Sequence, residues 1–557
     1  MSRLFERLVA ARGLDEAFLS PKYEECLDPY LLPQMREAVE RIKFAVKNHE
    51  KCLIYGDYDV DGVTASTVLY DALRLAGIDD IEIMLPNRFV DGYGMSIKVV
   101  QRAISDGVKL VLTVDCGSRN HDIVAELRKN GVDVVVTDHH ECEETLPDAL
   151  AVVNPKRKDA EKYVKMALEG SNLASKEFMI KKAVGELREL AGAGVAFKIA
   201  QALMQEGLIP EGQEKWLLDL ATIGTICDSM ALRGENRRIC KYGMLVLEKT
   251  RRPGLKELMM RAGVKKLSSD AIGYQIGPRL NAAGRMDTAE KALNLLMSKR
   301  RAEAALLATE LENLNDQRKH QQNSAVKEIA ARGVGENPVI IEQGDWHEGV
   351  LGIIAGRLVE EYHRPAFVLG VNSGELKGSG RSFGDFSLAE ALEACRGQII
   401  GGGGHAAACG LRLKMEQLDG FRAAVNDYYR SLNLKNQERY LEAREDVSVG
   451  NFEDFSLELM DEIRLLEPFG EGNMMPIFRL PEVRVMEVAR LGAGKQHLRL
   501  LLWDQFDHGL KVMRFSAPED YLRLCPGDVV DAWVTLEENV FRGIRSVEGR
   551  IVRLAWN

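Results

Sequence analysis

Three strand-like apolar runs in this chain each end in side chains that bind cations, and this feature most constrains its fold. Cys52-Leu53-Ile54-Tyr55 leads into Gly56-Asp57-Tyr58-Asp59-Val60-Asp61-Gly62. The run 110–114 leads into Asp115-Cys116-Gly117, and 132–137 into Asp138-His139-His140. Helical patterns at 62–76 and 119–130 separate these runs, and further strand candidates lie at 81–85 and 151–153. Such a rhythm, with β-branched runs suited to strands covered on both faces, predicts a doubly wound parallel sheet. In an open parallel sheet the residues just past the carboxyl ends of the strands face one crevice. Asp57, Asp59, Asp115, His139 and His140 are therefore expected to meet, although more than eighty positions separate the first from the last.

Alternating carboxylates at Asp57, Asp59 and Asp61 repel one another unless a cation or a proton compensates. A calcium loop would begin the same way, but its twelfth position needs a bidentate carboxylate and here holds Val68. The flanks also read strand then helix, so that reading fails. An acidic cap on the following helix would explain the first motif alone, but not three strand ends carrying metal-competent groups. Carboxylates with imidazole and no thiolate suit manganese or magnesium better than structural zinc. Two adjacent ions sharing a bridging Asp would activate a water and stabilise the leaving oxygen of a phosphoryl group. On this reading His140 contacts the scissile phosphate and Asp138 orients an imidazole from behind.

Composition narrows the setting. A chain of 557 residues is too long for one ordinary core, and three or four domains are expected. Its nine cysteines are scattered and never spaced C-x-x-C, which argues against a disulfide framework or thiolate zinc and suits a reducing cytoplasm. No apolar run reaches the roughly 18 residues of a membrane span. The first 18 residues mix Arg, Glu and apolar side chains, which predicts an amphipathic helix and not a secretory signal. The net charge of −10 does not itself point to nucleic acid, but residues 251–301 hold twelve Lys or Arg against four acids. Carboxylates gathered around cations and a separate basic groove can coexist in an acidic protein that binds a polyanion.

Patterning along the chain suggests a helical segment at 1–45 and an α/β domain at 46–286, with a basic helical insertion at about 157–190. A connecting helix without Pro or Gly, or else a pair of helices, is expected at 287–332, and a second, smaller α/β domain at 333–431. A charged hinge follows. Short strands at 446–557 then suggest a small β-barrel.

These motifs together resemble the DHH phosphoesterase superfamily and, within it, the exonucleases specific for single-stranded DNA. The first three motifs carry the superfamily likeness. The finer likeness rests on Leu218-Asp219-Leu220-Ala221-Thr222-Ile223-Gly224-Thr225-Ile226-Cys227-Asp228 and on Gly277-Pro278-Arg279-Leu280-Asn281-Ala282-Ala283-Gly284-Arg285-Met286. It rests equally on Trp346-His347-Glu348-Gly349-Val350, Gly378-Ser379-Gly380-Arg381-Ser382, Gly401-Gly402-Gly403-Gly404-His405 and Leu466-Glu467-Pro468-Phe469-Gly470 with Gly472-Asn473. The resemblance implies a DHH catalytic domain, a DHH-associated domain and a C-terminal OB-fold. It also implies metal ligands at Asp57, Asp59, Asp115, His139 and Asp228, with His140 at the substrate phosphate and Asp61 supporting the loop. Spacing alone does not single out Asp228, which closes an apparent helix. Tyr55 stands where some members carry a further histidine.

The expected activity is 5′-to-3′ hydrolysis of single-stranded DNA to mononucleotides with two manganese or magnesium ions, in recombination and repair. The expected partners are the DNA strand, a RecQ-type helicase and a single-strand-binding protein, with the chain monomeric and away from membranes. Gly402, Gly403 and Gly404 would offer backbone N–H groups to a phosphate, with His405, Arg381 and Ser382 beside them. Arg279 and Arg285, in the most basic stretch, would track the strand. Among the barrel aromatics, Trp503, Phe506, Phe515, Trp533 and Phe541 are candidates for stacking on bases. A phosphodiesterase for short oligonucleotides or cyclic dinucleotides is the nearest alternative, disfavoured because so small a substrate needs no remote barrel. An inactive scaffold is disfavoured by a competent side chain at every ligand position.

Overall fold

The structure, a computed structural model, describes residues 1–91, 94–168, 176–372 and 374–556. Its first sheet has five parallel strands in the order β2-β1-β3-β4-β5. They are β1 (Cys52–Tyr55), β2 (Ile81–Met84), β3 (Leu110–Val114), β4 (Asp133–Thr137) and β5 (Ala151–Val153). Alternation along each strand covers both faces. Cys52, Ile54, Leu110 and Leu112 pack with helices Met35–Asn48, Val60–Leu75 and Gly192–Gln205. Leu53, Tyr55, Val111, Val134 and Val136 pack with helices Ile97–Ser105 and His121–Lys129. β1 leads to β2 on one side while β3 lies on the other, so the order reverses between β1 and β3. The carboxyl ends there border the crevice where open α/β sheets bind ligands.

Behind this sheet lies a helical mass that includes Leu218–Cys227, Gly234–Glu248 and Gly277–Met286. Over the connecting run at 287–332 the single helix gives way to the alternative, a pair. Glu290–Met297 ends at Ser298, whose extended backbone (φ −58°, ψ 135°) turns the chain before Arg301–Arg332 begins. The long helix measures about 48 Å at 1.5 Å per residue. Ala304, Ala308 and Leu311 bury it in the first core, and Ala325 and Ile329 in the next domain. Helices Ala160–Ala167 and Lys176–Arg188 occupy the expected basic insertion, of which residues 169–175 lie outside the described ones.

The second sheet is mixed, in the order β6-β7-β8-β10-β9. It comprises β6 (Ile340–Gly344), β7 (Ala366–Asn372), β8 (Glu375–Arg381), β9 (Gly401–Gly404) and β10 (Ala408–Lys414). Short β11 (Val447–Ser448) opens the last domain, followed by β12 (Phe478–Leu491), β13 (His497–Trp503), β14 (Gly509–Arg514), β15 (Val529–Phe541) and β16 (Ile544–Ala555). The pairings β12–β13–β14–β16–β15 return to β12, so five strands close into a barrel with β14 and β16 parallel. Closure removes the free edges.

The residues expected as one N-terminal helical segment part company. Helix Arg3–Arg12, capped by the Ser2 hydroxyl accepting from the Phe5 N–H at 3.3 Å, buries Leu4, Phe5 and Leu8 in the barrel core. Met35–Asn48 instead packs under the parallel sheet. No described helix is long and apolar enough to cross a membrane.

Candidate functional site

The strand ends converge as the parallel topology requires. Three groups of mutually close donor atoms exist among the described residues: Asp57 with Asp59 and Asp115; Asp115 with His139 and His140; Asp61 with His139 and Asp228. Within each, the donors lie within 4.8 Å of one another. His139 Nε2 is 3.0 Å from Asp115 Oδ1, 3.6 Å from Asp228 Oδ2 and 3.7 Å from Asp61 Oδ2. His140 Nδ1 lies 3.8 Å from Asp115 Oδ1.

Local structure aims these groups. Asp59 caps helix Val60–Leu75, its carboxylate accepting from the Gly62 N–H at 3.0 Å. Gly62 has to be glycine, since a Cβ there would stand 2.6 Å from the Asp57 backbone. Asp115 turns off β3 in the left-handed region at φ 59°, an uncommon conformation for a residue with a side chain. The N-terminus of helix Gly192–Gln205 comes so near that a Cβ on Gly192 would lie 2.6 Å from that of Asp115. Both Asp61 oxygens accept there, from the Gly192 and Ala193 N–H groups at 2.6 and 2.9 Å. Asp61 thus braces one helix start against another, while its carboxylate also stands among the donors near His139 and Asp228. Asp228 caps the end of helix Leu218–Cys227. Asp138 accepts from the Ser118 N–H at 3.0 Å and from the backbone N–H groups of His139 and His140 at 2.7 and 3.1 Å. It also holds His140 Nδ1 at 2.8 Å. Tyr55 turns away, its phenol donating to the Gly94 carbonyl at 2.9 Å in the core on the other side of the sheet.

The electrostatics ask for cations. Burial and then neighbouring carboxylates push Asp57 and Asp228 up to about 8 and Asp61 to about 7, and hold Asp115 well above the ordinary range. Burial drives the His139 imidazole down to about 3, leaving it neutral and able to ligate. Asp138 behaves oppositely: burial is outweighed by the hydrogen bond and charge of His140, and it stays below the usual carboxylate range. His140 is raised, its burial outweighed by Asp138. Asp57 Oδ1 and Asp115 Oδ1 are buried and accept no hydrogen bond among the described residues, which is costly unless something positive faces them. Oxygen and imidazole donors of this kind fit hard divalent ions.

Next to the carboxylates stands a group of arginines. Burial, then Arg88, Arg381 and Arg318, push the Arg285 guanidinium down to about 9 against the opposing pull of Asp59. Arg88 lies 4.4 Å above the Tyr58 ring, inside the first acidic loop. Arg381 donates to Ser379 Oγ at 3.2 Å and to the Gly380 carbonyl at 2.8 Å. A cleft of about 1060 Å³ opens beside Asp228, with Cys227, Ser229, Tyr274, Arg285, Arg318 and Phe469 in its walls. A second cavity of about 400 Å³ is bordered by Arg88, Lys377, Ser379, Gly401, Gly402 and Arg412.

The residues expected at the DNA divide accordingly. Arg285 lines the first of these spaces and Gly402 the second, while Arg381 lies in neither wall and donates to its own strand. Arg279 is engaged elsewhere: Glu312 of the long helix takes its Nε at 2.5 Å and Nη2 at 2.9 Å, and the Gln275 carbonyl takes Nη1 at 2.7 Å. The Ser382 hydroxyl donates to the Phe386 carbonyl, closing a turn. The glycine run is an edge strand paired to β10 and not a loop nest, with Gly403, Gly404 and His405 exposed along it. Arg88, Arg318 and Ser379 are additions. Arg88 follows the end of β2, so the strand-end rule that finds the carboxylates would also have found it. In the barrel Trp533 is buried, its indole donating to Glu445 at 3.0 Å, whereas Phe506, Phe515 and Phe541 are exposed.

Comparison with known proteins bears on the whole length. The DHH family N-terminal domain matches residues 51–225, the DHHA1 domain 336–431 and the RecJ OB domain 448–553. The single-stranded-DNA-specific exonuclease RecJ of Haemophilus influenzae is 33% identical over 98% of this chain and 95% of its own length. RecJ of Bacillus subtilis is 35% identical over 94% of this chain, which spans only 64% of that relative. The crystal structure of Thermus thermophilus RecJ in complex with Mn²⁺ superposes with a TM-score of 0.80 at 30% identity, covering all of this chain and 76% of the other. Over so complete a span this likeness places the chain in the RecJ family of single-stranded-DNA-specific exonucleases.

Proposed function

We infer that this chain hydrolyses single-stranded DNA from its 5′ end to mononucleotides, with two manganese or magnesium ions held by Asp57, Asp59, Asp115, His139 and Asp228. The observation that carries the reading is a cluster of buried carboxylate oxygens without hydrogen bonds set against arginines that form no ion pair among the described residues, where two domains meet. Ions bound there would activate a water and neutralise charge on the phosphate.

The chain's own residues do the rest. Asp61 fixes the helix start that presses on Asp115. Asp138 anchors His140 through Nδ1 and favours its protonated form, so that Nε2–H can donate to a phosphate oxygen where charge develops. Arg88, Arg285 and Arg381 steer the phosphates, Ser379 and Gly402 border the same space, and exposed barrel aromatics hold bases upstream. His405, Gly403 and Gly404 extend this edge, while Arg279 and Ser382 support the surfaces that carry it. Family kinship supports a place in recombination and repair beside a RecQ-type helicase and a single-strand-binding protein, as a monomer. Nine unpaired thiols accord with the cytoplasm.

The test is digestion of 5′- and 3′-labelled single strands and of duplex by the purified chain with Mn²⁺. Early release of the 5′ label and sparing of duplex are expected. Equal attack on duplex, release from the 3′ end, or faster turnover of a dinucleotide than of a long strand would refute it.

A further inference from the structure

The segment that enters the barrel, Leu466-Glu467-Pro468-Phe469-Gly470 with Gly472-Asn473, supplies nothing to the metal centre but is tied closely to the catalytic domain. Arg237, on helix Gly234–Glu248, is 1% exposed and has no carboxylate among its hydrogen-bond partners in the described residues. Its Nη1 donates to the Leu466 carbonyl at 2.9 Å, and Nη2 to the carbonyls of Leu465 at 3.0 Å and Glu467 at 3.3 Å. Its Nε donates to the Phe18 carbonyl at 2.8 Å, and the Phe18 ring lies 3.7 Å from the guanidinium carbon.

One turn on, Lys241 Nζ donates to the Glu467 carbonyl at 2.8 Å. Before the helix the Leu232 N–H meets the Glu471 carbonyl at 2.8 Å, and Arg233 donates to the Gly472 carbonyl. Inside the segment the Asn473 amide holds the carbonyls of Leu466 and Pro468 at 2.8 and 2.9 Å. A planar guanidinium with five donors in a fixed fork suits several carbonyls at once, which a lysine does not match. Leu232 follows Asp228 by four residues, and Glu467, Pro468, Phe469 and Gly470 form a wall of the cleft beside it. The same short stretch is therefore the root of the barrel, the side of the cleft and a neighbour of a metal ligand.

We propose that Arg237 is a positioning residue that locks the barrel's entry segment, and the N-terminal segment at Phe18, onto the catalytic domain, so that a strand held by the barrel meets the cleft in line with the metal centre. This rests on the reading of the chain as a single-strand exonuclease. Arg237 touches no substrate. Its effect is to keep two strand-binding regions at a fixed separation, which sets the effective concentration of the strand end at the centre.

The experiment compares the full chain with Arg237→Met and Arg237→Lys on a long single strand and a tetranucleotide, with amide hydrogen exchange of residues 465–474 measured in parallel. In Arg237→Met, KM for the long strand should rise roughly tenfold with a shorter run per binding event, as tethered binding is lost. Turnover of the tetranucleotide should stay within about twofold, and exchange across 465–474 should accelerate. Arg237→Lys should fall between. Should Arg237→Met fold poorly, Arg233→Ala, which removes one exposed donor to Gly472, should show the same split more weakly. Equal losses on long and short substrates, or faster exchange with unchanged KM on the long strand, would overturn the proposal. If the unaltered chain digests neither substrate, the exonuclease reading fails, while the exchange data still report on the lock.

Discussion

The metal centre and the arginine group are opposites built by different means. One gathers carboxylates that burial and mutual repulsion push upward, the other guanidinium groups, of which the same forces push Arg285, Arg318 and Arg381 downward. Each is unstable alone, and each is poised for a ligand of the other sign. The carboxylates and imidazoles come mostly from adjacent ends of one parallel sheet, a rigid frame with short connections. The arginines come from the loop after β2, helix Gly277–Met286, the long helix and β8, hence from two domains. The carboxylates therefore rest on one frame, and the arginines on how two domains sit together.

Breaking the first region should cost most. Asp115→Ala is expected to lower Mn²⁺-dependent hydrolysis roughly a thousandfold while strand binding, followed by fluorescence anisotropy, is retained. Unchanged hydrolysis would remove Asp115 from the centre. Asp138→Asn keeps the shape but weakens the hold on His140, and a loss of about 10- to 100-fold in kcat is expected, as for outer-shell partners.

The second region should respond differently. Arg285→Ala or Arg381→Ala should raise KM about tenfold, and each should flatten the salt dependence of strand binding by roughly 0.7 in log–log slope, the signature of one lost phosphate contact on a single strand. A kcat effect with an unchanged salt slope would show that the comparison is drawn wrongly.

The smallest effect is on stability. Without metal, the raised carboxyls of Asp57, Asp115 and Asp228 bind protons more tightly folded than unfolded. Their contribution is therefore complete below about pH 4, the unfolded value, and is lost as pH rises through about 8. Thermal melting in chelator should fall across that window and recover with Mn²⁺. A chelated melt that rises with pH would contradict the sign.

How much could be read from the chain follows the same division. Strand ends are local in sequence, so Asp57, Asp115 and His139 could be assembled from periodicity and one topological rule. Asp228 could not, because a helix-capping Asp looks the same wherever the helix points. Arg279 and Arg285 share one basic stretch, but six positions on a helix are about 240° of rotation. One therefore meets Glu312 and the other the cleft, and no pattern of charge distinguishes them. The break at Ser298 carries no Pro or Gly signal, since the chain turns there for packing. Ser382 and Ser379 are equally hydroxylic, and only the hairpin of β7 and β8 with its following turn separates their roles.

The helix Arg3–Arg12 is made long before the barrel, yet the apolar groove that receives Leu4, Phe5 and Leu8 is not finished until strand β16 is made. At ordinary translation speeds its greasy side waits roughly half a minute to two minutes for a partner. Over that interval the parallel sheet and its carboxylates can already be in place. The barrel core is thus the last to close, after the sheet that carries the carboxylates.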